Sequence, residues 1–355
     1  MRSLGYSSAE GKRIDLYDLD LPALEALLAG WGASRALARH VWEWVYRRSV
    51  TGVEQMATLP PALRERLAAE TTLYVPPVLA RQEDPDGETR KDLLQLEDGQ
   101  EIEVVLLRYR ERRSACISTQ VGCACGCRFC ATGQMGFVRD LSAGEIVVQV
   151  VHLQRELAAR RERLSNVVLM GMGEPLLNYG HTLAAIRRLV DPRAFGLAQR
   201  RVTLSTAGIV LGIDRLMAED LQVNLAVSLH AATDELRSQL VPINRRYPLD
   251  ELFAALQSYT AQTRRRVMLE WVLIDGVNDT CEQAEALVAR LARVPAHVNL
   301  IRLNVTEGYV ERPSTPEAIE AFTAVLDRAH IPHTMRQRRG GAIAAGCGQL
   351  RSRVG

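Results

Sequence analysis

Apolar residues recur at helical spacing in three short runs between residue 15 and about 70: "DLPALEALLAGWG", "SRALARHVWEWVYRR" and "LPPALRERLAAET". Glycine and proline separate them, so they predict a small unit of short helices. The pattern then switches to alternation in "LLQLEDGQEIEVVLLRYRE", interrupted by Asp98-Gly99. That combination predicts a β-hairpin. From residue 114 onward, β-rich apolar runs alternate with longer amphipathic segments. The predicted strands are "ACISTQV", "NVVLMGM", "RVTLSTA", "VNLAVSLHA", "RVMLEWVLI" and "HVNLIRLN". Helices are expected near 142–162, 180–190, 211–219, 248–263, 280–293 and 315–329. The first of these starts on a capping box, Ser142 with Glu145 three residues later. Six consecutive strand–helix units imply an α/β fold with a parallel sheet and helices outside it. Six units are too few for a closed eight-unit barrel, so a partial (β/α)6 barrel is expected rather than a doubly wound sheet. In either architecture ligands lie at the C-terminal ends of the strands. The expected organisation is an N-terminal helical accessory domain (1–75), a β-hairpin connector (76–110), a barrel core (111–340) and a C-terminal loop (341–355).

Composition narrows the class. The chain has 355 residues, 47% of them hydrophobic and 5% aromatic, which suits a globular protein with an aliphatic core. No apolar run approaches the roughly 18–20 residues that span a bilayer. The first twenty residues lack the apolar stretch of a signal peptide, so a soluble, cytoplasmic protein is expected. All but two of the 44 basic residues are arginines, the exceptions being Lys12 and Lys91. Arginine clusters stand out at 108–113, 160–163, 244–247, 264–267 and 336–339. Each alone reads as a solvated face; gathered on one side they would make a phosphate-binding rim.

Seven cysteines in a chain of this kind point to metal binding or catalysis rather than structural disulfides. Cys281 reads as an ordinary thiol at a helix start. The dense stretch is "GCACGCRFC", which holds Cys123, Cys125, Cys127 and Cys130. Two readings compete. Four thiolates would bind a structural zinc. Three, spaced as Cys123, Cys127 and Cys130, would hold a [4Fe–4S] cube with one iron left open. An open iron can chelate S-adenosylmethionine, whose one-electron cleavage gives a 5′-deoxyadenosyl radical. Further polar residues fall at successive strand ends: Gly171, Gly173 and Glu174, then Ser205, then Ser228 to His230, then Asn304. A lone Ser or Asn there would more often cap a helix; the series carries the weight.

The spacing of the three cysteines resembles the radical S-adenosylmethionine superfamily. A closer likeness lies in "STQVGCACGCRFCATGQMGF", "VVLMGMGEPLLNY", "RVTLSTAGIV", "VSLHA", "VPINRRYPL" and "GCGQL". Together, from about residue 13 to 353, they resemble the RlmN/Cfr family of radical RNA methyltransferases. That resemblance implies that Cys123, Cys127 and Cys130 bind the cluster, with Cys125 a bystander. It implies that Gly173, Glu174, Ser205, Ser228, Leu229, His230 and Asn304 contact S-adenosylmethionine. It makes Cys347 the thiol that accepts a methyl group, Cys116 the thiol that later forms a transient disulfide with it, and Glu103 the proton acceptor. Two molecules of S-adenosylmethionine are used per turnover, and a donor such as flavodoxin supplies electrons. The expected substrate is adenosine in RNA at carbon 2, in 23S ribosomal RNA and also tRNA, acted on by a monomer away from membranes. Ala342 and Ala344 stand where the family commonly has acidic residues, which leaves carbon 8 open as the alternative position. A zinc-stabilised RNA-binding protein is the rival from another class.

Overall fold

A computed structural model of the protein describes residues 13–337 and 339–351. Its main sheet has ten strands whose spatial order is their chain order. They are β1 (Val78–Glu83), β2 (Thr89–Gln95), β3 (Glu101–Arg108), β4 (Arg113–Cys116), β5 (Asn166–Leu169), β6 (Val202–Thr206), β7 (Asn224–Ser228), β8 (Val267–Leu273), β9 (Ala296–Arg302) and β10 (His333–Met335). Strands β1 to β4 pair antiparallel. From β4 to β10 every pairing is parallel. The fold is the expected α/β partial barrel, and the hairpin around Asp98-Gly99 forms part of its edge.

The six predicted helices are present at Ala143–Ala159, Tyr179–Val190, Val210–Met217, Leu249–Thr263, Cys281–Leu291 and Pro316–Arg328, one in each crossover between parallel strands. The first begins as its sequence requires. The Ser142 hydroxyl accepts from the Glu145 amide, and the Glu145 carboxylate accepts from the Ser142 amide. Its apolar stripe, including Ile146, Val147, Val150 and Leu157, is buried.

Three features depart from the sequence expectation. Strand β10 adds a seventh parallel strand; at three residues it is too short to show alternation. A helix at Asp234–Leu240 was not expected either. The predicted strand 115–121 leaves the sheet after Cys116, because Ser118 takes other partners. Its hydroxyl donates to the Glu103 carbonyl, and the Gln149 side chain bonds both its amide and its carbonyl. Residues Gln120–Gly122 then pair with Phe137–Asp140 in a separate two-stranded ribbon.

The N-terminal helices, Leu21–Ala29, Arg35–Tyr46 and Pro61–Glu70, follow the predicted runs. Their core centres on Trp42 and Tyr46, whose rings meet edge to face at 4.4 Å. Two hydrogen bonds tie this unit to the barrel helices: the Gly144 amide donates to Asp18 at 3.0 Å, and Arg188 donates to the Asp18 carbonyl at 3.1 Å. Among the described residues no helix is long and apolar enough to cross a membrane.

The capping box supplies a direct test. Ser142→Ala removes one partner of the first turn, and should lower the unfolding free energy by about 1 kcal/mol, read as a lower urea midpoint with unchanged slope.

Candidate active site

Side chains alternate between the two faces of a strand, so register decides which residues share the barrel interior. One rung runs Lys91–Val105–Cys116–Val168–Thr203–Asn224 across β2 to β7. Another runs Ser228–Glu270–Asn299–Thr334 across β7 to β10. Cys116, Glu103 (two places from Val105), Ser205 and Ser228 therefore occupy one face.

The strand ends, the 123–130 loop and the C-terminal segment enclose a cavity of about 140 Å³. That is room on the scale of ten waters: a small-molecule site, not a hole for one ion. Cys123, Cys127 and Cys130 line it, as do Gly173 and Glu174, Ser205, Ser228, His230 and Cys347. Leu229 does not; it is fully buried, and only its backbone serves the site, accepting from Arg237. Asn304 sits behind the C-terminal segment, donating to the Cys347 carbonyl at 3.2 Å. Its Oδ1 is buried without a partner.

The cysteine loop is shaped by close backbone approach. Gly122 has φ +73°, and a side chain there would strike the Gly136 carbonyl; a side chain at Gly133 would come within 2.9 Å of the Cys127 backbone. Cys125 lies against the cluster of thiols and donates to Cys123. That hydrogen bond lowers the Cys123 pKa and raises that of Cys125. Burial raises both Cys127 and Cys130 above the ordinary thiol value.

Gly173 and Glu174 form the floor. Gly173 (φ +101°) approaches Gln120 so closely that a Cβ would lie 2.7 Å from its backbone nitrogen. The Gln120 side chain accepts from the Glu174 amide at 2.8 Å. The Glu174 carboxylate in turn accepts from the Ala207 and Leu176 amides at 2.6 and 2.9 Å. Burial pushes its pKa up to about 7. His230 adopts φ +61°, uncommon for a residue with a side chain. Its Nδ1 accepts from the Val272 amide at 3.0 Å, which leaves Nε2 to carry the hydrogen. Burial, helped by Arg237, lowers its pKa to about 3, so the ring is neutral.

Arg237 was not legible as a site residue. Fully buried, it donates to the Leu229, Ala207 and Ser228 carbonyls and to Asn244. It thereby locks the ends of β6 and β7 together and sets a positive charge near Cys127.

Cys347 belongs to the C-terminal segment; it is exposed and lines the cavity. Gly346 and Gly348 beside it both meet packing demands. A Cβ at Gly346 would lie 2.6 Å from the Asn304 amide nitrogen, and Gly348 has φ +82°. Burial raises the Cys347 pKa, while Arg336, 3.9 Å away, opposes the rise. Arg336 also faces Glu270 at 3.3 Å across the cavity wall. Sequence had placed Arg336 in a surface cluster; the structure turns it inward. Arg338 of the same cluster lies outside the described residues. Cys116 is close enough to Cys347 to feel its charge, and burial pushes the Cys116 pKa up to about 12. All seven cysteines are free, so the expected Cys116–Cys347 bond is not present in this conformation. Glu103, on the same face, pairs with Lys91 at 2.8 Å.

Two family profiles match the chain: the radical SAM superfamily over residues 117–288, and the ribosomal RNA large subunit methyltransferase N-terminal domain over 14–73. The chain is 50% identical over 340 residues to dual-specificity RNA methyltransferase RlmN 1 of Myxococcus xanthus, covering 96% of this chain and 95% of that one. It is 48% identical to the probable dual-specificity RNA methyltransferase RlmN of Moorella thermoacetica, covering 96% and 97%. The crystal structure of a radical SAM methyltransferase from Sphaerobacter thermophilus superposes with a TM-score of 0.92 at 47% identity, covering 95% of this chain and 99% of that chain. The chain belongs to the RlmN family of radical SAM RNA methyltransferases.

Membership of the radical SAM superfamily brings a [4Fe–4S] cluster and S-adenosylmethionine. The RlmN-type cavity fits both. Four thiols of one loop, Cys123, Cys125, Cys127 and Cys130, face it, with a buried cation behind them. The Glu174 carboxylate faces the cavity, whereas the unpartnered Asn304 oxygen lies behind the C-terminal segment. Among the described residues no three acidic, His or Cys side chains are gathered around a single point as one metal ion requires. A cube spreads its thiolates over separate irons.

The raised thiol pKa values predict reactivity. In cluster-free protein, exposed Cys281 should be alkylated by iodoacetamide well before Cys116. Cys116 stays protonated below its pKa, so its labelling rate should still be climbing tenfold per pH unit above pH 9. Peptide mass spectrometry across a pH series reads both; a Cys116 rate that plateaus near pH 9 contradicts the burial described above.

Proposed function

We propose that this chain methylates carbon 2 of an adenosine in large-subunit ribosomal RNA, and also in tRNA, with Cys347 as the methyl carrier. One observation carries the reading: Cys347 lines the same cavity as Cys123, Cys127 and Cys130. The ribosomal-RNA match of the N-terminal domain and the dual-specificity names of the relatives support the substrate pair.

Cys123, Cys127 and Cys130 would hold the cluster, with Cys125 a hydrogen-bond donor beside them. Bound there and reduced, such a cluster would supply an iron site for S-adenosylmethionine and the one electron for its cleavage to methionine and a 5′-deoxyadenosyl radical. Glu174 accepts hydrogens from the nucleotide's amino group, and Gly173 permits the close approach. Ser205, Ser228 to His230 and Asn304 orient its nucleoside and methionine portions.

A carrier is needed because an adenine carbon flanked by nitrogens is electron-poor and does not attack a sulfonium methyl. The Cys347 sulfur takes a methyl from a first S-adenosylmethionine, releasing S-adenosylhomocysteine. The 5′-deoxyadenosyl radical takes a hydrogen atom from that S-methyl, the resulting carbon radical adds to the ring, and the adduct radical would return one electron to the redox centre that supplied the first. Protein and RNA are then joined through an S–CH2–C linkage. Glu103 accepts the proton that leaves the ring carbon. Cys116 attacks the Cys347 sulfur; an S–S bond forms as the S–CH2 bond breaks, and the released carbon takes a proton to become methyl. Burial keeps Cys116 a neutral thiol at rest, so it does not compete with methyl transfer to Cys347.

Anaerobic reconstitution should yield about four irons per chain, retained in Cys125→Ala and lost in Cys127→Ala. With S-adenosylmethionine, reductant and ribosomal RNA, nucleoside mass spectrometry should find 2-methyladenosine. Ala342 and Ala344 make 8-methyladenosine the second outcome to look for. Cys116→Ala should accumulate a covalent protein–RNA adduct. Full activity in Cys347→Ala, or no methyladenosine of either kind, rejects the proposal.

A further inference from the structure

Lys91 stands out twice. It is one of only two lysines in a chain that otherwise uses arginine for every basic position. It is also buried, on β2, with its ammonium directed at two separate acceptors. Nζ lies 2.8 Å from Glu103 Oε1, the two side chains being 9% and 7% exposed. It donates as well to the carbonyl of Ala344 at 3.1 Å, three residues before Cys347. The sheet register explains the first contact. Lys91 is opposite Val105, and Glu103 is the next residue along the same face of β3, a diagonal that a long side chain spans. Cys116 is opposite Val105 from the other side. An ammonium is a compact charge with three independently aimed donors, whereas a planar guanidinium favours paired acceptors in one plane. The geometry here, one carboxylate and one distant carbonyl, suits lysine.

The other Glu103 oxygen accepts from the Arg351 backbone amide at 2.8 Å. Glu103 is therefore gripped between β2 and the C-terminal segment, and Lys91 touches both. Charged groups acting on the carboxylate are Lys91 and Arg351. Burial raises the Glu103 pKa, and the Lys91 hydrogen bond and charge work against that rise. A base must be ionised before it can take a proton, so a buried carboxylate needs such a partner.

We propose that Lys91 is a positioning residue for proton removal: its ammonium holds the Glu103 carboxylate in place and, through the Ala344 carbonyl, registers it against the segment that carries Cys347. This rests on the reading of Glu103 as proton acceptor and Cys347 as methyl carrier. In the step concerned, the ring-carbon proton passes to a Glu103 oxygen, the C–H electron pair stays with the ring, and the carboxylate becomes a neutral acid beside the Lys91 ammonium.

The test compares Lys91→Met, Lys91→Arg and Glu103→Gln in the reconstituted enzyme. Three quantities are read: S-methylation of Cys347 by intact-protein mass, covalent protein–RNA adduct, and the pH dependence of product release. Lys91→Met should methylate Cys347 to the wild-type extent but release product about 100-fold more slowly at pH 7, the scale of a lost general base. Without the cation the Glu103 carboxylate persists only at higher pH, so the acidic limb of the pH profile should move to higher pH by at least one unit. Lys91→Arg, which keeps the charge, should return that limb to within half a unit of wild type; a limb displaced as in Lys91→Met overturns the assignment to charge. A wild-type limb in Lys91→Met, or a defect confined to Cys347 methylation, reduces Lys91 to a tether and overturns the proposal. Wild-type turnover in Glu103→Gln instead rejects Glu103 as base, whatever Lys91 does.

Discussion

The constraint on which this site depends is the period of two along a β-strand. Cys116, Glu103, Lys91, Ser205, Ser228 and Glu270 come from six different strands, yet the pairing register sets them all on one face. A slip of one residue would turn a strand's contribution out of the barrel and, on β3, β4, β7 and β8, bring an apolar neighbour in. The apolar residues of the opposite parity, such as Ile102, Val104 and Ala115, are buried against the helices. Covering both faces of the sheet is what makes that slip expensive: the same helices that build the core thereby fix the chemistry.

The second constraint is the low dielectric that this covering creates. It holds Cys116, Cys127, Cys130 and Cys347 above the ordinary thiol pKa and Glu174 and Glu103 above the ordinary carboxyl value. Several of these potential anions have a cation nearby to moderate the effect. Arg237 lies by Cys127, Arg336 by Cys347 and Glu270, and Lys91 by Glu103. Neutral thiols in an apolar chamber are slow to oxidise or to trap metal ions of the wrong kind. Removing protons is left to events that bring charge into the cavity.

Much of this was legible in the chain. Strands buried on both faces leave apolar runs such as "NVVLMGM", and amphipathic helices between them set the parallel topology. The capping box at Ser142 and the spacing of Cys123, Cys127 and Cys130 are local patterns, and local patterns survive into the fold. What could not be read depends on partners distant in sequence. Strand β10 exists because Val298 to Leu300 offer it a ladder. Arg237 looks like any surface arginine until the carbonyls of Ala207, Ser228 and Leu229 surround it. Within the arginine clusters Arg113 pairs with Glu162, Arg108 with Glu83 and Arg339 with Glu88. Charge counting along a chain shows neither partner nor direction.

The C-terminal segment must do two things that pull against each other. It has to hold Cys347 at the cavity wall, and in the proposed cycle it has to let the same sulfur meet RNA and then Cys116. Its anchors suit that double duty. The Ala131 amide donates to the Gly348 carbonyl at 2.7 Å, Gln349 to the Val305 carbonyl at 3.0 Å, and the Arg351 amide to Glu103 at 2.8 Å. Each such bond contributes about 1 kcal/mol net against water. A few of them keep the segment seated in nearly every molecule, yet their sum is small beside the binding energy that an RNA duplex or loop can supply. One of those anchors is Glu103 itself, so the segment that carries Cys347 and the proposed proton acceptor share a hydrogen bond.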